Sequence, residues 1–155
     1  MGVVAGPGGL THLRFEPNHE DVPDGDGAPS AREILEAAQR QLNEYFAGRR
    51  QTFDVPLDLR GTAFQLAVWN ALLQVPFGET VSYATIAERI DRPSAVRAVG
   101  AANGANPIPI IVPCHRVVGR NGTLTGYRGG LPIKKRLLDL EGVSQWSRPP
   151  LDPTS

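Results

Sequence analysis

The residue with the clearest chemical potential is Cys114, the single cysteine of this 155-residue chain. One cysteine can form neither an intramolecular disulfide nor a cysteine-rich zinc site. Pro113 precedes it, and His115 and Arg116 follow it, so the sulfur has a rigid residue, a base and a permanent cation as neighbours in sequence. Nearby cations and hydrogen bonds favour the thiolate, which is the nucleophilic form. These neighbours indicate a reactive thiol; the alternative is a small, buried apolar side chain.

Positive charge is concentrated around this cysteine. The chain carries 16 basic and 16 acidic side chains, so its formal net charge is zero. The segment from Arg92 to Arg136 nevertheless contains eight Arg and Lys residues and no Asp or Glu. Such a stretch suggests an anionic partner; the alternative is a solvated basic face that balances an acidic N-terminal half. Charge alone leaves both interpretations open.

The length and composition limit the class of protein. The chain is long enough for one domain, or for two small lobes that share a core. No apolar run is long enough to span a bilayer, and residues 1–8 lack the basic start and apolar centre of a signal peptide. A lone unpaired cysteine is typical of a reducing compartment. We therefore expect a cytoplasmic protein with no membrane partner.

The N-terminal part predicts a hairpin followed by a helix. Residues 10–15 alternate like a strand, and residues 3–5 are the expected partner strand. A capping box at residues 30–33 begins a helix that ends at Gly48. The apolar stripe of this helix consists of Ile34, Leu35, Ala38, Leu42, Tyr45 and Phe46.

The domain boundaries follow from composition. Residues 53–59 are extended and are expected to connect two lobes. We therefore expect an N-terminal lobe over residues 1–52 and a C-terminal domain over residues 53–143. Residues 144–155, with three prolines, are expected to form a flexible tail.

The middle of the chain predicts a helix-turn-helix. After a helix that opens at residues 62–65, a short helix over residues 82–90 is followed by a turn at residues 91–93. Ser94 is the expected cap of the next helix, residues 95–103. Two short helices joined by a tight turn are typical of this motif.

The second of these helices carries one charged side chain, Arg97, among alanines and glycine. Small side chains allow the backbone to approach a partner closely; the alternative is tight packing against a neighbouring helix. Arginine is rarely buried without a partner, so Arg97 is expected to project from this smooth face.

Prolines before Cys114 and a turn after it shape the remaining chain. Residues 106–109 predict an extended path toward the cysteine. Residues 117–124 contain the turn signal Asn121-Gly122 and predict a hairpin. A last helix is expected over residues 134–141, ending at Gly142.

Taken together, these motifs resemble those of a known family. The Pro-Cys-His-Arg-Val motif at 113–117, the helix-turn-helix before it and the Gly-Tyr-Arg-Gly-Gly-Leu run at 126–131 closely resemble the O6-alkylguanine-DNA alkyltransferases, or methylated-DNA–protein-cysteine methyltransferases. The resemblance extends from about Phe53 to Glu141. It implies an α+β fold, with a small N-terminal ribonuclease-H-like lobe of sheet and helix and a C-terminal helical winged helix-turn-helix lobe. Family members usually begin with an extra strand, which we expect the first lobe to lack.

The resemblance also implies a partner. Members of the family bind double-stranded DNA that contains alkylated bases, through the minor groove, and are monomers without DNA. Their recognition helix supplies an arginine that fills the space left by the rotated nucleotide, and this residue corresponds to Arg97. The tyrosine that promotes rotation corresponds to Tyr83. The remaining DNA-binding positions on these helices are Ser94, Ala98 and Ala101.

The chemistry implied by the resemblance is alkyl transfer to Cys114. The thiol proton passes through a water to His115, whose imidazolium is held by Glu141, and Asn106 braces the active-site turn. Attack on the alkyl carbon of O6-alkylguanine, and of O4-alkylthymine as a second candidate, gives a stable thioether, so each molecule reacts once. Tyr127 hydrogen-bonds the purine ring. The substrate pocket consists of Tyr127, Val117 and Arg128.

No cofactor is expected. Some relatives bind zinc in the first lobe, but here only His12 and His19 are available there, so we expect no metal site. Three other classes remain as alternatives: a cysteine amidase or protease, a lesion-binding protein without catalytic activity, and a transcriptional regulator. The intact cysteine argues against the second, and a minor-groove arginine argues against the third because that groove carries a degenerate code.

Overall fold

The computed structural model describes residues 2–6, 8–14, 29–119, 124, 127 and 129–143. The chain divides into two compact units. The N-terminal unit comprises residues 1–61 and 107–111, and the C-terminal unit comprises residues 62–106 and 112–155.

The N-terminal unit contains the predicted hairpin. Strand β1 (Gly2–Gly6) pairs in antiparallel fashion with β2 (Gly9–Arg14), with a shift of register between Val4 and Ala5. The side chains of Leu10 and Leu13 are buried. Both predicted strands are therefore present, although Leu10 and Leu13 are three positions apart and do not follow a strict period-two alternation.

The extended segment after the first helix belongs to this unit, so the structural division falls after Gly61 rather than at the expected 52/53 boundary. Leu10 N donates to Pro56 O over 2.8 Å, and Asp58 N donates to Leu10 O over 2.7 Å, so the segment pairs with β2. Pro107 also belongs here, because its carbonyl accepts from Leu13 N over 2.8 Å. Pairing between distant segments of this kind leaves no local sequence signal.

Helix α1 (Pro29–Phe46) follows the predicted stripe with one exception. Ala38, Leu42 and Tyr45 are buried, whereas Phe46 is 41% exposed. Neighbouring helix positions point about 100° apart, so when Tyr45 takes the interior position Phe46 is directed away from it. The helix also begins one residue before the predicted cap at Ser30.

The C-terminal unit is mainly helical. Its elements are α2 (Ala63–Leu73), β3 (Val81–Ser82), α3 (Tyr83–Arg89), α4 (Val96–Gly104), a 3-10 helix (Cys114–Arg116), β4 (Val117–Val118) and α5 (Leu131–Leu140). Helix α2 opens where it was predicted, and its start is a capping box: Gln65 N donates to Thr62 Oγ1, and Thr62 N donates to Gln65 Oε1. Trp69 is buried and donates from Nε1 to Ala102 O over 2.9 Å, which ties α2 to α4. The expected α+β class is confirmed.

The predicted helix-turn-helix is present as α3 and α4. Ser82 caps α3, accepting a hydrogen bond from Thr85 N. The cap predicted for α4 is wrong: the N-cap position is Ala95, which has no side-chain oxygen, and Ser94 lies in the preceding turn. The turn contains Asp91 at a φ of 59°, a conformation that aspartate tolerates better than most residues.

The last third departs from the sequence prediction at two places. Helix α5 begins at Leu131 rather than Lys134, because Pro132 in its first turn has a fixed φ that suits a helix start. Strand β4 pairs in parallel with β3, whereas the hairpin predicted over residues 117–124 has its turn, Asn121-Gly122, outside the described residues. In the described part of the chain, no helix has the length and apolar character needed to cross a membrane.

Gly9 is a position where only glycine fits, which leads to a test of the N-terminal unit. Its φ is +138°, and a Cβ atom there would lie 2.6 Å from Pro56 O. We expect Gly9→Ala to lower the free energy of unfolding by about 2–4 kcal/mol, because it adds a backbone clash to an unfavourable φ. Urea unfolding followed by circular dichroism measures this change.

Gly6→Ala is the matched control, because no atom lies within 4 Å of a Cβ built at Gly6 in the adjacent strand. Equal losses for the two variants would contradict the proposed close approach of the segment at Pro56 to β2.

Candidate active site

Cys114 is held in a rigid and almost fully buried position. It begins the 3-10 helix, and 4% of its surface is exposed. Asn106 Nδ2 donates to Val112 O over 2.8 Å, and Asn103 Nδ2 approaches Cys114 O at 3.4 Å. The turn before the sulfur is therefore fixed by two buried amide side chains, of which the sequence analysis identified only Asn106.

The thiol is protonated at rest. Burial raises the pKa of Cys114, while the nearby side chains of Asn106, Lys134 and Tyr127 act in the opposite direction. Burial is the largest of these effects, so the expected help from a nearby cation is real but outweighed. A base must therefore accept the thiol proton before the sulfur can attack.

His115 is placed to be that base. It is completely buried, and its Nε2 lies 2.6 Å from Glu141 Oε2. Burial lowers the pKa of His115, the Glu141 carboxylate raises it, and the charges of Arg116 and Lys134 lower it again. The net direction is downward, so the imidazole is neutral at neutral pH.

The hydrogen-bond network determines which nitrogen of His115 carries the proton. An ionised carboxylate only accepts, so Nε2 must donate to Glu141. Nδ1 is then the basic nitrogen, and it has no hydrogen-bond partner among the residues that the structure describes. A neutral imidazole with this free lone pair can accept the proton of a neighbouring thiol.

Glu141 is the centre of the network, and it is buried although glutamates are mostly exposed. It is 5% exposed and occupies the C-cap position of α5. In addition to His115, it accepts from Arg116 Nε at 2.8 Å, from Arg116 Nη2 at 3.0 Å and from Gly78 N at 3.3 Å. Four donors offset much of the cost of burying one negative charge.

The guanidinium of Arg116 binds the Glu141 carboxylate. In addition to its two bonds with Glu141, its Nη1 donates to Val75 O over 2.7 Å, and its guanidinium lies 5.8 Å from the centre of the Phe77 ring. It is almost completely buried. The cation that follows the cysteine in sequence therefore acts on Glu141.

Lys134 is the functional candidate that the sequence analysis missed. Its side chain is fully buried, and its Nζ donates to Val117 O over 2.7 Å. Burial lowers its pKa to about 8, and the nearby Cys114 opposes this shift. A signal was present in the sequence: Lys134, Leu137, Leu138 and Glu141 follow the spacing of one helix face, and all four are buried.

The basic segment around Cys114 is only partly a surface feature. Of its eight cations, Arg116 and Lys134 are buried, and Arg120 and Arg128 lie outside the described residues. The exposed cations of the segment are Arg92, Arg97, Lys135 and Arg136. A charge count along the sequence therefore overstated the positive surface available to an anionic partner.

Helix α4 presents the residues expected to bind DNA on its exposed side. Arg97, Ala98 and Ala101 are exposed and share one face by their helical spacing, and Ser94 is exposed in the turn before them. Tyr83 is half-buried at the start of α3, with its ring close to Gly100. The opposite side of α4 carries Asn103, so one short helix reaches from solvent to the backbone of Cys114.

The structure describes two of the three residues expected to form the substrate pocket. Tyr127 is half-buried, and it lowers the pKa of the nearby Cys114 thiol. Val117 is buried, and its carbonyl holds Lys134. Arg128 lies outside the described residues. Within the described ranges, no three His, Cys, Asp or Glu side chains are grouped as ligands of a metal ion.

Comparison with known families matches both parts of the chain. Residues 63–143 match the family model described as 6-O-methylguanine DNA methyltransferase, DNA binding domain. Residues 3–59 match the model described as 6-O-methylguanine DNA methyltransferase, ribonuclease-like domain. The expected combination of a ribonuclease-like lobe with a helical DNA-binding lobe is confirmed.

Individual relatives agree with these matches. The methylated-DNA–protein-cysteine methyltransferase of Mycobacterium tuberculosis is 53% identical over 157 residues, covering 97% of this chain and 89% of the relative. The inducible methylated-DNA–protein-cysteine methyltransferase of Bacillus subtilis is 59% identical over 107 residues, covering 69% of this chain and 60% of the relative. The crystal structure of Mycobacterium tuberculosis OGT in complex with DNA has a TM-score of 0.76 at 52% identity, covering 89% and 84% of the two chains.

Lys134 yields a test that needs no substrate. Folding lowers its pKa from 10.5 to about 8, so the unfolded chain binds more protons between these values. The free-energy cost of burying the ammonium therefore applies in full when the pH is below about 8, and it disappears as the pH rises to 10.5. We expect Lys134→Met to raise the free energy of unfolding by about 1–2 kcal/mol near neutral pH, after allowance for the lost hydrogen bond, and the gain to vanish near pH ~10.

Urea unfolding at these two pH values measures the change in the free energy of unfolding. Ultraviolet absorbance of the thiolate measures a second expected effect, which concerns the ionisation of Cys114. Because Lys134 lowers the pKa of Cys114, the thiol of Lys134→Met should ionise at higher pH than that of the wild type. The matched control is Lys135→Met, which removes an exposed cation from the same helix. Similar thiol titrations for all three proteins would exclude an electrostatic link between Lys134 and the sulfur.

Proposed function

Because this chain belongs to the family of 6-O-methylguanine DNA methyltransferases, we propose that it repairs DNA directly, by transferring an alkyl group from O6-alkylguanine to its own Cys114. The observation that carries this proposal is the arrangement around the sulfur. The Cys114 thiol is buried near Asn106 and Tyr127, which both lower its pKa, and the neutral base His115 follows it in the chain and hydrogen-bonds Glu141. This arrangement fits a nucleophile that is activated only when its proton can leave.

The transfer is a displacement at the alkyl carbon. The Cys114 proton moves through a water to Nδ1 of His115, and Glu141 stabilises the imidazolium that forms. The sulfur then attacks the carbon, the bond between that carbon and O6 breaks, and its electron pair remains on the guanine. The Tyr127 hydroxyl offsets this negative charge by a hydrogen bond to the purine in the proposed reaction. A thioether is not readily hydrolysed, so each molecule reacts once.

The nucleotide must leave the base stack to reach a cysteine as deeply buried as Cys114. Rotating it out costs a few kcal/mol, which binding must supply. We infer that α4 enters the minor groove with its smooth exposed face and that Arg97 occupies the space left in the stack. Tyr83, beside Gly100, assists by displacing the phosphate. DNA as the partner is supported by the mycobacterial relative, whose structure contains DNA.

Two finer points belong to the same proposal. O4-alkylthymine presents an equivalent bond between an oxygen and an alkyl carbon, so we include it as a second substrate. The reaction needs one cysteine for one lesion, so we propose that the protein acts as a monomer.

The first test is a mass measurement. After incubation with duplex DNA that contains O6-methylguanine, we expect the intact protein to gain the mass of one methyl group, and peptide mapping to place it on Cys114. The thiol is the only cysteine sulfur of the chain, so Cys114→Ser should gain nothing. Transfer that persists in Cys114→Ser, or none in the wild type, would refute the proposal.

The second test concerns Arg97. We expect Arg97→Ala to slow repair in duplex DNA about tenfold or more, equivalent to ~1.4 kcal/mol, because the rotated nucleotide loses its replacement in the stack. Reaction with the free base analogue O6-benzylguanine should change less than about twofold, since no base has to rotate.

Arg92→Ala is the matched control for this test, because it removes an exposed cation from the adjacent turn. If Arg92→Ala and Arg97→Ala slow duplex repair equally, Arg97 contributes charge rather than a stacking side chain.

A further inference from the structure

We propose that Arg116 is a positioning residue that keeps His115 neutral: by neutralising Glu141, it leaves Nδ1 of His115 free to accept the Cys114 proton. This inference rests on the proposed function, because it concerns the base of the same reaction. It assigns a specific task to the arginine of the Pro-Cys-His-Arg-Val motif. That task lies in proton transfer rather than in contact with DNA.

The geometry gives Arg116 a stronger hold on Glu141 than His115 has. Nε and Nη2 of Arg116 contact the two different carboxylate oxygens, at 2.8 Å and 3.0 Å, as a planar fork does. His115 contacts only Oε2. The guanidinium is fixed in turn by Val75 O and by the ring of Phe77. Arg116 is therefore held in place independently of His115.

A pair made only of His115 and Glu141 would be a poor resting state. A buried carboxylate 2.6 Å from an imidazole favours the imidazolium, because the two opposite charges attract strongly where water is excluded. An imidazolium has no free lone pair and cannot accept a proton. Burial opposes the imidazolium and is the largest influence on the pKa of His115; where the attraction of Glu141 exceeds it, the base is protonated before the reaction begins.

Arg116 changes this balance. Its permanent positive charge already compensates Glu141, so a second cation on His115 brings repulsion as well as attraction. Among the described residues, the charged groups that act on His115 besides Arg116 are Lys134 of α5 and Glu141 at the C-cap of that helix, and Cys114 precedes His115 in the 3-10 helix. Lys134 acts in the same direction as Arg116. The loop before β3 adds polar backbone at Val75 and Gly78.

The sign of the effect can be predicted. If Arg116 is replaced by an uncharged residue, Glu141 acts on His115 without compensation and the pKa of His115 rises. The basic form is then depleted at neutral pH and returns as the pH is raised. A loss of transfer that alkaline conditions reverse is therefore the signature of an electrostatic task. A loss of packing around Phe77 would lower transfer at every pH.

The experiment uses Arg116→Met, with the conservative variant Arg116→Lys and the double variant Arg116→Met/Glu141→Gln. The ring signals of His115 are followed by NMR as a function of pH without DNA, and the chain has only two other histidines. Methyl transfer from duplex DNA is measured over the same range. Circular dichroism establishes which variants are folded.

We expect His115 of the wild type to be neutral at neutral pH and His115 of Arg116→Met to be an imidazolium. Transfer by Arg116→Met should fall about tenfold or more near neutral pH and recover as the pH rises. In the double variant both charges are gone, so His115 should be neutral again. Arg116→Lys retains the charge and should keep His115 neutral, although it loses the fork.

Several outcomes would overturn the inference. These are an imidazolium at neutral pH in the wild type or in Arg116→Lys, a His115 titration that is unchanged in Arg116→Met, and a loss of transfer that does not recover with pH. If Arg116→Met does not fold, the His115 titrations of the wild type and of Arg116→Lys still test the inference. Failure of the proposed function is distinguishable, because a wild type that accepts no methyl group would still show the His115 titration.

Discussion

The structure of the active site depends on one buried negative charge, the carboxylate of Glu141. It accepts hydrogen bonds from His115, Arg116 and Gly78, which come from two parts of the chain that are distant in sequence from the carboxylate. Removing a partner from a buried charge costs about 3–5 kcal/mol, so these segments are not free to separate. The same contacts fix the orientation of the His115 imidazole and leave its Nδ1 without a hydrogen-bond partner among the described residues. The stability of this region and the orientation of its base therefore have a common origin.

The helix-turn-helix is joined to the same cluster by α4. Its exposed side carries Arg97, and its buried side carries Asn103, which approaches the carbonyl of Cys114. Trp69 of α2 also holds α4 in place, because its Nε1 donates a hydrogen bond to Ala102 O. In this helix of nine residues, the exposed Arg97 and the buried Asn103 are less than two turns apart. The helix expected to rotate the nucleotide thus also holds the turn that carries the nucleophile.

Local patterns predicted much of this structure. The sequence predicted the hairpin of β1 and β2, the start of α2 at residues 62–65 and the short helix α3. Features that depend on distant contacts were missed: the pairing of β2 with the segment at Pro56 and the burial of Lys134 both need a partner far along the chain. The residue type of Lys134 also gave a wrong expectation. A lysine is counted as a surface charge unless its position on the buried face of a helix is taken into account. Residue roles in alkyl transfer came from the motif and its resemblance, whereas the fork between Arg116 and Glu141 emerged only from the folded geometry.

The central claim is that His115 is a neutral base whose proton lies on Nε2, toward Glu141. Nitrogen-15 chemical shifts of the His115 ring in the resting protein near neutral pH measure this directly, because protonated and unprotonated ring nitrogens have well-separated shifts. The account predicts a protonated Nε2 and an unprotonated Nδ1. Protonation of both nitrogens, or of Nδ1 alone, would mean that the base is unable to accept the thiol proton, and would contradict the account.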